Sequence, residues 1–239
     1  MFKLLTLISL LCFFSFPVYA LEKEPWNMDG QFPSAIVVDT GLSALRKSPS
    51  VTSNCLRRLR IGRKVFIISS TKNKAGIKYY FIAVTRRTRG YIDASALVKP
   101  LQLGDDARLM RLVENAESVD KIILAQTLVK NFPKSHFCPD ALLAEGQTAE
   151  EIAKELSRRT SKRSIRQLDP TIDLERYFLN YSGLDKYNRL GINFQLDPSE
   201  KVYRYDGTAY KKILAHYPKS QAALIASERL QPLLAKGEE

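Results

Sequence analysis

The chain has 239 residues, of which 45% are hydrophobic, and a formal net charge of +12. This length allows one large or two small hydrophobic cores. Beyond the first twenty residues only Cys55 and Cys138 remain, which excludes a small protein held by several disulfides and leaves one possible bridge. Residues 42–99 contain fourteen basic residues and one acid, Asp93, so this segment alone accounts for the positive charge. Such asymmetry indicates an anionic partner rather than a particular fold.

The first twenty residues have the pattern of a cleavable secretory signal. A lysine precedes an apolar run over 4–16, and Val18 and Ala20 place small residues at the −3 and −1 positions of a cleavage site. The run is shorter than the roughly 20 apolar residues that span a membrane. Cys12 would suggest a lipoprotein, but Leu11 stands where lipid attachment requires a small residue. We therefore expect cleavage after Ala20 and export of a soluble protein to the periplasm or the medium, with no later membrane span.

Residues 35–99 contain several short stretches with the composition of β-strands. They are 35–38, 64–68, 77–85 and 90–92, each rich in β-branched or aromatic residues. The turn-like sequences between them are 48–50, 61–62 and 86–89. Short strands at this spacing predict a small β-barrel over 35–99.

A set of spaced residues in this segment resembles a known domain. In chain order they are Leu45-Arg46-Lys47-Ser48-Pro49-Ser50, Cys55-Leu56, Leu59, Gly62, Val65, Gly90-Tyr91-Ile92 and Leu97. Their order and spacing resemble bacterial SH3 domains, except that Ser48 stands in place of a glycine and Tyr91 in place of a tryptophan. The resemblance implies an SH3-like barrel that serves as a non-catalytic module for binding cell wall or peptide.

The same segment supplies the candidate binding residues. The planar guanidinium group of arginine matches carboxylate and phosphate groups, and tyrosine rings offer stacking faces. The candidates are Arg57, Arg58, Arg60, Arg63, Lys64, Tyr80, Arg86, Arg87, Arg89 and Tyr91. The expected ligands are peptidoglycan carboxylates, wall or lipopolysaccharide phosphates, and anionic lipid headgroups. Two alternatives stay open: the charge serves solubility alone, or the segment binds nucleic acid, which the predicted export disfavours.

Beyond Pro100 the composition shifts to alanine, leucine, glutamate and lysine, which favours helices. The apolar spacing predicts a helix over 105–115 and a second one from Ser118, whose side chain is expected to cap it. Pro133 ends the second helix, and a third is expected to begin near Pro139, because proline suits a first helical turn.

Two segments of this half have the same sequence pattern: 128–135 reads LVKNFPKS and 213–220 reads ILAHYPKS. A helix, an aromatic-proline-x-serine turn and a second helix resemble the tetratricopeptide-like repeats of bacterial envelope proteins, which implies binding of a protein on a concave face. The alternative is that two helical hairpins only pack together, because a stable stack needs about three repeats.

The 85-residue offset between these segments is longer than a repeat of about 34 residues. We therefore expect an irregular insertion at about 160–206 within a helical domain of 104–236. In the insertion, 171–187 is expected to be helical and 192–205 to form a short hairpin or extended arm. The aromatic residues Tyr177, Phe178, Tyr181 and Tyr187 have helical spacing and are expected in the core.

Residues with catalytic chemistry are sparse. A cysteine peptidase needs a thiolate and a histidine base, and the only histidines are His136 and His216. Cys138 is expected near a helix N-terminus, where a thiol pKa is lowered, but Pro139 follows it instead of a small residue. The possible metal ligands within 136–140 have no second cluster to complete a tetrahedral site.

The sequence as a whole predicts an α+β protein with a small SH3-like barrel followed by a helical, repeat-like domain. We expect an exported, non-catalytic binding protein without a cofactor, whose basic part engages an anionic envelope component and whose helical part engages a protein or serves as a scaffold. Two alternatives are a degenerate or accessory cell-wall hydrolase that uses Cys138, and an envelope assembly scaffold that acts only through protein contacts.

Overall fold

The computed structural model describes residue 28 and residues 30–161, 182–197, 200 and 202–235. These residues form an antiparallel sheet of seven strands, a second sheet of two strands, and six helices. The α+β class predicted from the sequence is therefore confirmed. The predicted signal at 1–20 and the aromatic residues Tyr177, Phe178 and Tyr181 lie outside the described residues.

The large sheet is built from residues 34–98. Its strands are β1 (Ser34–Val37), β2 (Ala44–Arg46), β3 (Cys55–Arg58), β4 (Lys64–Lys72), β5 (Lys78–Ala83), β6 (Arg89–Asp93) and β7 (Leu97–Val98). They follow the order β3-β2-β6-β5-β4-β1-β7, and neighbouring strands are antiparallel. The four stretches predicted as strands overlap β1, β4, β5 and β6. The sequence did not predict β3 because all four of its residues are exposed and show no alternation.

The sheet curls around one apolar core. Leu45 of β2 and Leu97 of β7 lie near opposite ends of the strand order, yet both belong to one buried cluster with Val65, Ile82 and Ile92. A β-bulge in β4 contributes to this bend. The outer strands are β3 and β7, and no pairing between them is present in the described residues. The sheet is therefore curled but open, and these strands do not form the closed barrel that the sequence predicts.

Gly90 allows β2 and β6 to lie close together. A Cβ atom at this position would be 2.8 Å from the carbonyl oxygen of Arg46 and 2.9 Å from Cγ of Leu45. The first of these is a backbone atom, which cannot move aside as the end of a flexible side chain can. A larger residue would therefore separate the two strands, so the close pairing of β2 and β6 requires glycine at this position.

Six helices and a β-hairpin follow the sheet. The helices are α1 (Asp105–Asn115), α2 (Ser118–Asn131), α3 (Cys138–Ser161), α4 (Asp185–Asn188), α5 (Thr208–His216) and α6 (Gln221–Ala235), and the hairpin consists of β8 (Phe194–Asp197) and β9 (Val202–Tyr205). The central element is α3, which contacts α2, α5, α6 and β9. Among the described residues, no helix combines the length and the apolar character that crossing a membrane requires.

The two segments with the same sequence pattern also have the same turn geometry. Phe132 follows α2 with φ −128° and ψ 55°, and Tyr217 follows α5 with φ −135° and ψ 46°. Each donates its backbone N–H to the carbonyl four residues earlier, at 2.8 Å and 2.7 Å respectively. Ser135 and Ser220 then donate their N–H groups to the carbonyl oxygens of Phe132 and Tyr217. The repetition in sequence therefore corresponds to a repeated helix–turn–helix geometry.

The predicted cap of α2 is wrong. Ser118 is the first residue of the helix and has a φ of 50°, while Glu117 occupies the cap position without a side-chain hydrogen bond to the helix. A capping side chain needs the extended backbone of the residue before the helix. The left-handed backbone of Ser118 does not provide that conformation.

The large sheet and the first three helices share an apolar cluster. Ile36 of β1, the adjacent Val38 and Val98 of β7 pack with Leu109 of α1 and Leu128 of α2. Each of these side chains is at most 3% exposed. Removing such side chains from water stabilises the contact by about 1.5–3 kcal/mol each. The sheet and the helices are therefore joined by a common core and not by the linker alone.

Polar side chains connect the helices of the second half. Glu145 of α3 is only 3% exposed and accepts a hydrogen bond from Nε2 of Gln126 on α2 at 2.9 Å. Tyr210 of α5 donates its hydroxyl to Glu150 of α3, and Glu150 also pairs with Arg229 of α6 at 3.3 Å. These contacts tie α3 to α2, α5 and α6.

Gly146 of α3 provides a test of this packing. A Cβ atom there would lie 2.4 Å from Cε1 of the buried Tyr210 ring. Glycine to alanine stabilises an unhindered helix by about 1 kcal/mol, but overpacking a core costs about 1–3 kcal/mol. We therefore expect Gly146→Ala to lower the free energy of unfolding, measured by urea denaturation. In a Tyr210→Leu background the same change should cost nothing, and an equal loss in both backgrounds would contradict the contact.

The buried carboxyl group of Glu145 predicts a pH dependence. Burial raises its pKa, and the hydrogen bond from Gln126 and the charge of Lys212 only partly oppose this. The folded state therefore holds the proton more tightly than the unfolded state, so the contribution of Glu145 to stability falls as the pH rises through its folded pKa. Glu145→Gln keeps an acceptor oxygen without the charge. Relative to the natural chain, this variant should gain stability as the pH rises above the ordinary pKa of a glutamate, about 4.3, as measured by urea unfolding.

The matched control for this measurement is Glu151→Gln, which removes an exposed carboxylate from the same helix. If the stability difference between Glu145→Gln and the natural chain stayed constant with pH, the burial of a titrating carboxyl group would be the wrong explanation.

Candidate functional site

A small concavity on the large sheet brings four of the predicted cations together. It has a volume of about 290 Å³ and is lined by Arg57, Arg58, Leu59, Arg60, Arg63 and Val84. We refer to it as the arginine concavity. Its lining contains four guanidinium groups and no acidic residue.

The arginines are positioned by the edge strand β3 and the turn that follows it. Leu59 is buried in the sheet core and donates its N–H to the Ser43 carbonyl at 3.1 Å, which fixes the chain between Arg58 and Arg60. The N–H of Arg63 then donates to the carbonyl of Arg60 at 3.2 Å and closes the turn. Because Leu59 faces inward, the arginines on both sides of it face solvent.

Two of these arginines also bond to backbone carbonyls. Nη1 of Arg58 donates to Gly41 at 3.3 Å, and Nη2 of Arg63 donates to Val84 at 3.5 Å. These bonds hold their side chains across the sheet. Gly62, within the turn, has a φ of 79°, and a Cβ atom there would lie 3.0 Å from Ile123 of α2. The turn that carries Arg60 and Arg63 is therefore held against the helical half.

The other predicted cations lie outside the lining of this concavity. Arg86 and Arg87 are exposed in the turn between β5 and β6, which is closed by the Val84 N–H donating to Thr88 at 2.9 Å. Arg89 begins β6 and pairs with Ala83. The turn is close in sequence to Val84, so its charges add to the positive potential near the concavity without lining it.

Lys64 begins β4 and lies over the Phe66 ring, with Nζ 5.4 Å from the ring centroid. It lines a second groove of about 480 Å³ between the large sheet and α2. Other residues of that groove include Ser34, Gln126, Lys130 and Leu190. This groove could not be predicted from the sequence, because its walls come from residues far apart in the chain and no local pattern marks them.

Tyr80, predicted as a binding residue, is a core residue. It is 7% exposed and belongs to the buried cluster of the sheet. Its hydroxyl accepts a hydrogen bond from Nζ of Lys99 at 3.2 Å. Burial alone would raise the pKa of Tyr80, but the hydrogen bonds and charges of Lys99 and Lys78 together lower it. The ring is packed and offers no open face for stacking.

Tyr91 has a different environment. It pairs with Phe81 across β5 and β6, the ring centroids are 5.0 Å apart, and both rings are half-buried. Side chains alternate along a strand, so Tyr91 lies on the opposite face from Ile92, which is in the core. Tyr91 therefore keeps an accessible aromatic edge, although it does not line the arginine concavity.

The cysteines and histidines do not form a catalytic group in the described residues. Cys138 is fully buried and its Sγ donates to the Phe132 carbonyl at 3.2 Å. Burial raises the pKa of its thiol, and the nearby Asp106 carboxylate adds to this, against opposing hydrogen bonds with Tyr217 and Ser135. His136 is exposed and lies against Phe137. A raised pKa keeps the thiol protonated, which disfavours a thiolate nucleophile.

The described cysteines, Cys55 on β3 and Cys138, are both free, so the one bridge that the sequence left possible is not formed. The described residues also contain no group of three or more histidine, cysteine or acidic side chains able to hold a metal ion.

The different environments of the two cysteines predict different reactivities. In a chain that starts at Leu21, and so lacks Cys12, exposed Cys55 should react with a thiol-modifying reagent in the folded state. Cys138 should react only when the protein unfolds, because burial both blocks access and keeps its thiol protonated. Cys55→Ser should therefore remove the fast phase of modification, and Cys138→Ser should leave it. Fast modification of Cys138 in the folded chain would contradict its placement.

Comparisons of the chain with protein families, with curated proteins and with solved structures find no match.

Proposed function

We propose that this chain is an exported, non-catalytic binding protein whose basic sheet holds an anionic component of the cell envelope, such as peptidoglycan. The observation that carries the proposal is the arginine concavity, where Arg57, Arg58, Arg60 and Arg63 line one space without an acidic residue. Export is supported by the signal-like sequence at 1–20.

The size of the concavity favours one charged group of a polymer over a whole small molecule. Its volume is about 290 Å³, at the lower limit of the roughly 300–1,000 Å³ of pockets that enclose drug-sized ligands. A carboxylate or phosphate accepts paired hydrogen bonds from a guanidinium group, and such charge-assisted bonds are about twice as strong as neutral ones. A polymer would present these groups repeatedly along its length.

The SH3-like character of the sheet belongs to the same proposal. The residues that resemble bacterial SH3 domains include Gly90, which permits the close approach of β2 and β6, and Leu59, which anchors the arginine-bearing strand. Domains of that family bind cell wall or peptide, and the exposed arginines would make this one selective for anionic groups. This explanation requires no catalytic residue, and the buried Cys138 does not favour the alternative of a wall hydrolase.

We further propose that the helical half holds a protein partner or acts as a scaffold. The repeated helix–turn–helix geometry at Phe132 and Tyr217 supports this part of the proposal. Because Leu109 and Leu128 share a core with the large sheet, this half is best tested within the whole chain.

The sharpest test of the anionic ligand uses Arg57 and Arg60. Unlike Arg58 and Arg63, neither side chain bonds to a backbone carbonyl in the part of the chain that the structure describes. We expect the chain from Leu21 to be retained by purified peptidoglycan sacculi, with retention falling as salt rises from about 0.05 to about 0.5 M. Arg57→Gln/Arg60→Gln should weaken binding at least about tenfold, because one hydrogen bond to a charged group is worth about 1.5–3 kcal/mol.

The control variant is Lys134→Gln/Lys219→Gln. It removes two exposed positive charges from the turns of the helical half and matches the change in net charge. Retention of this variant should stay close to that of the natural chain. Equal losses in both variants would mean that net charge and not the concavity causes retention, and no retention at any salt concentration would overturn the proposed ligand.

A further inference from the structure

The loop between the sheet and α1 displays two leucine side chains. Leu101 is 100% exposed and Leu103 is 98% exposed. Among the residues that the structure describes, no other large hydrophobic side chain is as exposed. Single exposed leucines are common on protein surfaces, but two such side chains at alternate positions of one short loop indicate a contact surface.

Hydrogen bonds hold this loop in shape. The Lys99 N–H donates to the Asp105 carboxylate at 2.7 Å, and the Gln102 N–H donates to the Lys99 carbonyl at 2.9 Å. The Gln102 side chain turns back to the same carboxylate, with Nε2 3.5 Å from Oδ1. Gln102 is exposed, but its side chain is turned back towards Asp105, and Leu101 and Leu103 project on either side of it. Their exposure follows from a defined turn.

Lysine side chains lie beside this loop. Nζ of Lys99 and Nζ of Lys78 are 5.4 Å and 5.1 Å from the centroid of the same ring, Tyr80. Lys72 pairs with Lys78 across β4 and β5, and Lys74 lies in the turn between them. Lys99 at the start of the loop and Lys78 of the hairpin are thus brought together at one ring, so the loop combines two projecting apolar side chains with nearby amines.

The two acids that follow the loop, Asp105 and Asp106, are engaged in hydrogen bonds. Asp105 is 5% exposed and its carboxylate is occupied by Lys99 and Gln102. The Asp106 carboxylate accepts a hydrogen bond from Ser135 Oγ at 2.7 Å. The Asp105 carboxylate is therefore buried, and the Asp106 carboxylate is half-buried and held by Ser135.

We propose that the loop at 99–104 docks the protein on a bilayer that contains anionic phospholipid. Leu101 and Leu103 enter the boundary between headgroups and acyl chains, and Lys72, Lys74 and Lys78 contact the headgroup phosphates. Membrane affinity of this kind grows with the apolar area buried and with each lysine or arginine near an anionic surface. This surface is separate from the arginine concavity and does not depend on the ligand proposed for it.

The loop fits a bilayer better than a protein partner. Leucine is under-represented among the residues that dominate protein–protein binding energy, which are mostly tryptophan, tyrosine and arginine seated in pockets. Acyl chains need no complementary pocket, so two projecting leucines are sufficient for them. Amines flanking an apolar tip match the negative surface potential of an anionic leaflet.

The test is co-sedimentation of the chain from Leu21 with lipid vesicles. This chain keeps every described residue and omits the apolar run at 4–16, which would bind lipid by itself. We expect binding to phosphatidylcholine vesicles with about 30% phosphatidylglycerol and weaker binding to phosphatidylcholine alone. Leu101→Ser/Leu103→Ser should lower the partition coefficient at least about tenfold, because two leucine side chains no longer leave water.

The matched control is Leu224→Ser, which removes an exposed leucine of α6, 61% exposed, from a different part of the surface. It should bind vesicles like the natural chain, and both variants should keep their unfolding midpoints because the replaced side chains are exposed. Lys72→Gln/Lys74→Gln should weaken binding only to the anionic vesicles. The proposal is overturned if the natural chain binds neither vesicle, if the double leucine variant binds normally, or if Leu224→Ser loses as much binding.

Discussion

The apolar contact between the first and last strands of the large sheet and the first helices holds the rest of the structure in place. Ile36 and Val98 are register partners in the sheet, and both pack on Leu109 and Leu128. Through this contact α2 comes against the turn at Gly62, which supports the arginine concavity. The same contact holds α1 close to β7, with the loop at 99–104 between them. The arginine concavity and the loop at 99–104 thus both depend on this one buried contact.

The local pattern of apolar and polar residues predicted the helices and strands that have one face in water and the other in the core. The predicted helix at 105–115 has the same bounds as α1, because its acidic start and apolar spacing are local signals. Four strands were predicted for the same reason, whereas three were missed. β3 is an exposed edge strand without alternation, and β2 and β7 have only three and two residues. The openness of the sheet also escaped prediction, because pairing between distant strands leaves no local trace.

The candidate site, too, combines residues that the local sequence predicts with residues that only the tertiary structure brings together. Arg57 to Arg63 are near one another in the sequence, so their clustering was predictable from charge alone. The remaining wall, Val84, and the anchoring carbonyl of Gly41 come from other parts of the sheet. Tyr80 and Tyr91 were equal candidates in the sequence, because alternation says that neighbouring side chains point to opposite faces but not which face is inside. Tertiary packing decided that Tyr80 is in the core.

The position of β1 has a consequence for the order in which the chain acquires its structure. This strand lies between β4 and β7, so Ile36 pairs with Lys64 on one side and with Val98 on the other. Both partners are distant in sequence, and closing such long loops before any contact forms is entropically costly, which slows folding. Because the chain is synthesised from its N-terminus, β1 stays unpaired until the residues of β4 and β7 have been added. This first strand of the sheet is therefore among the last to be fixed in place during folding.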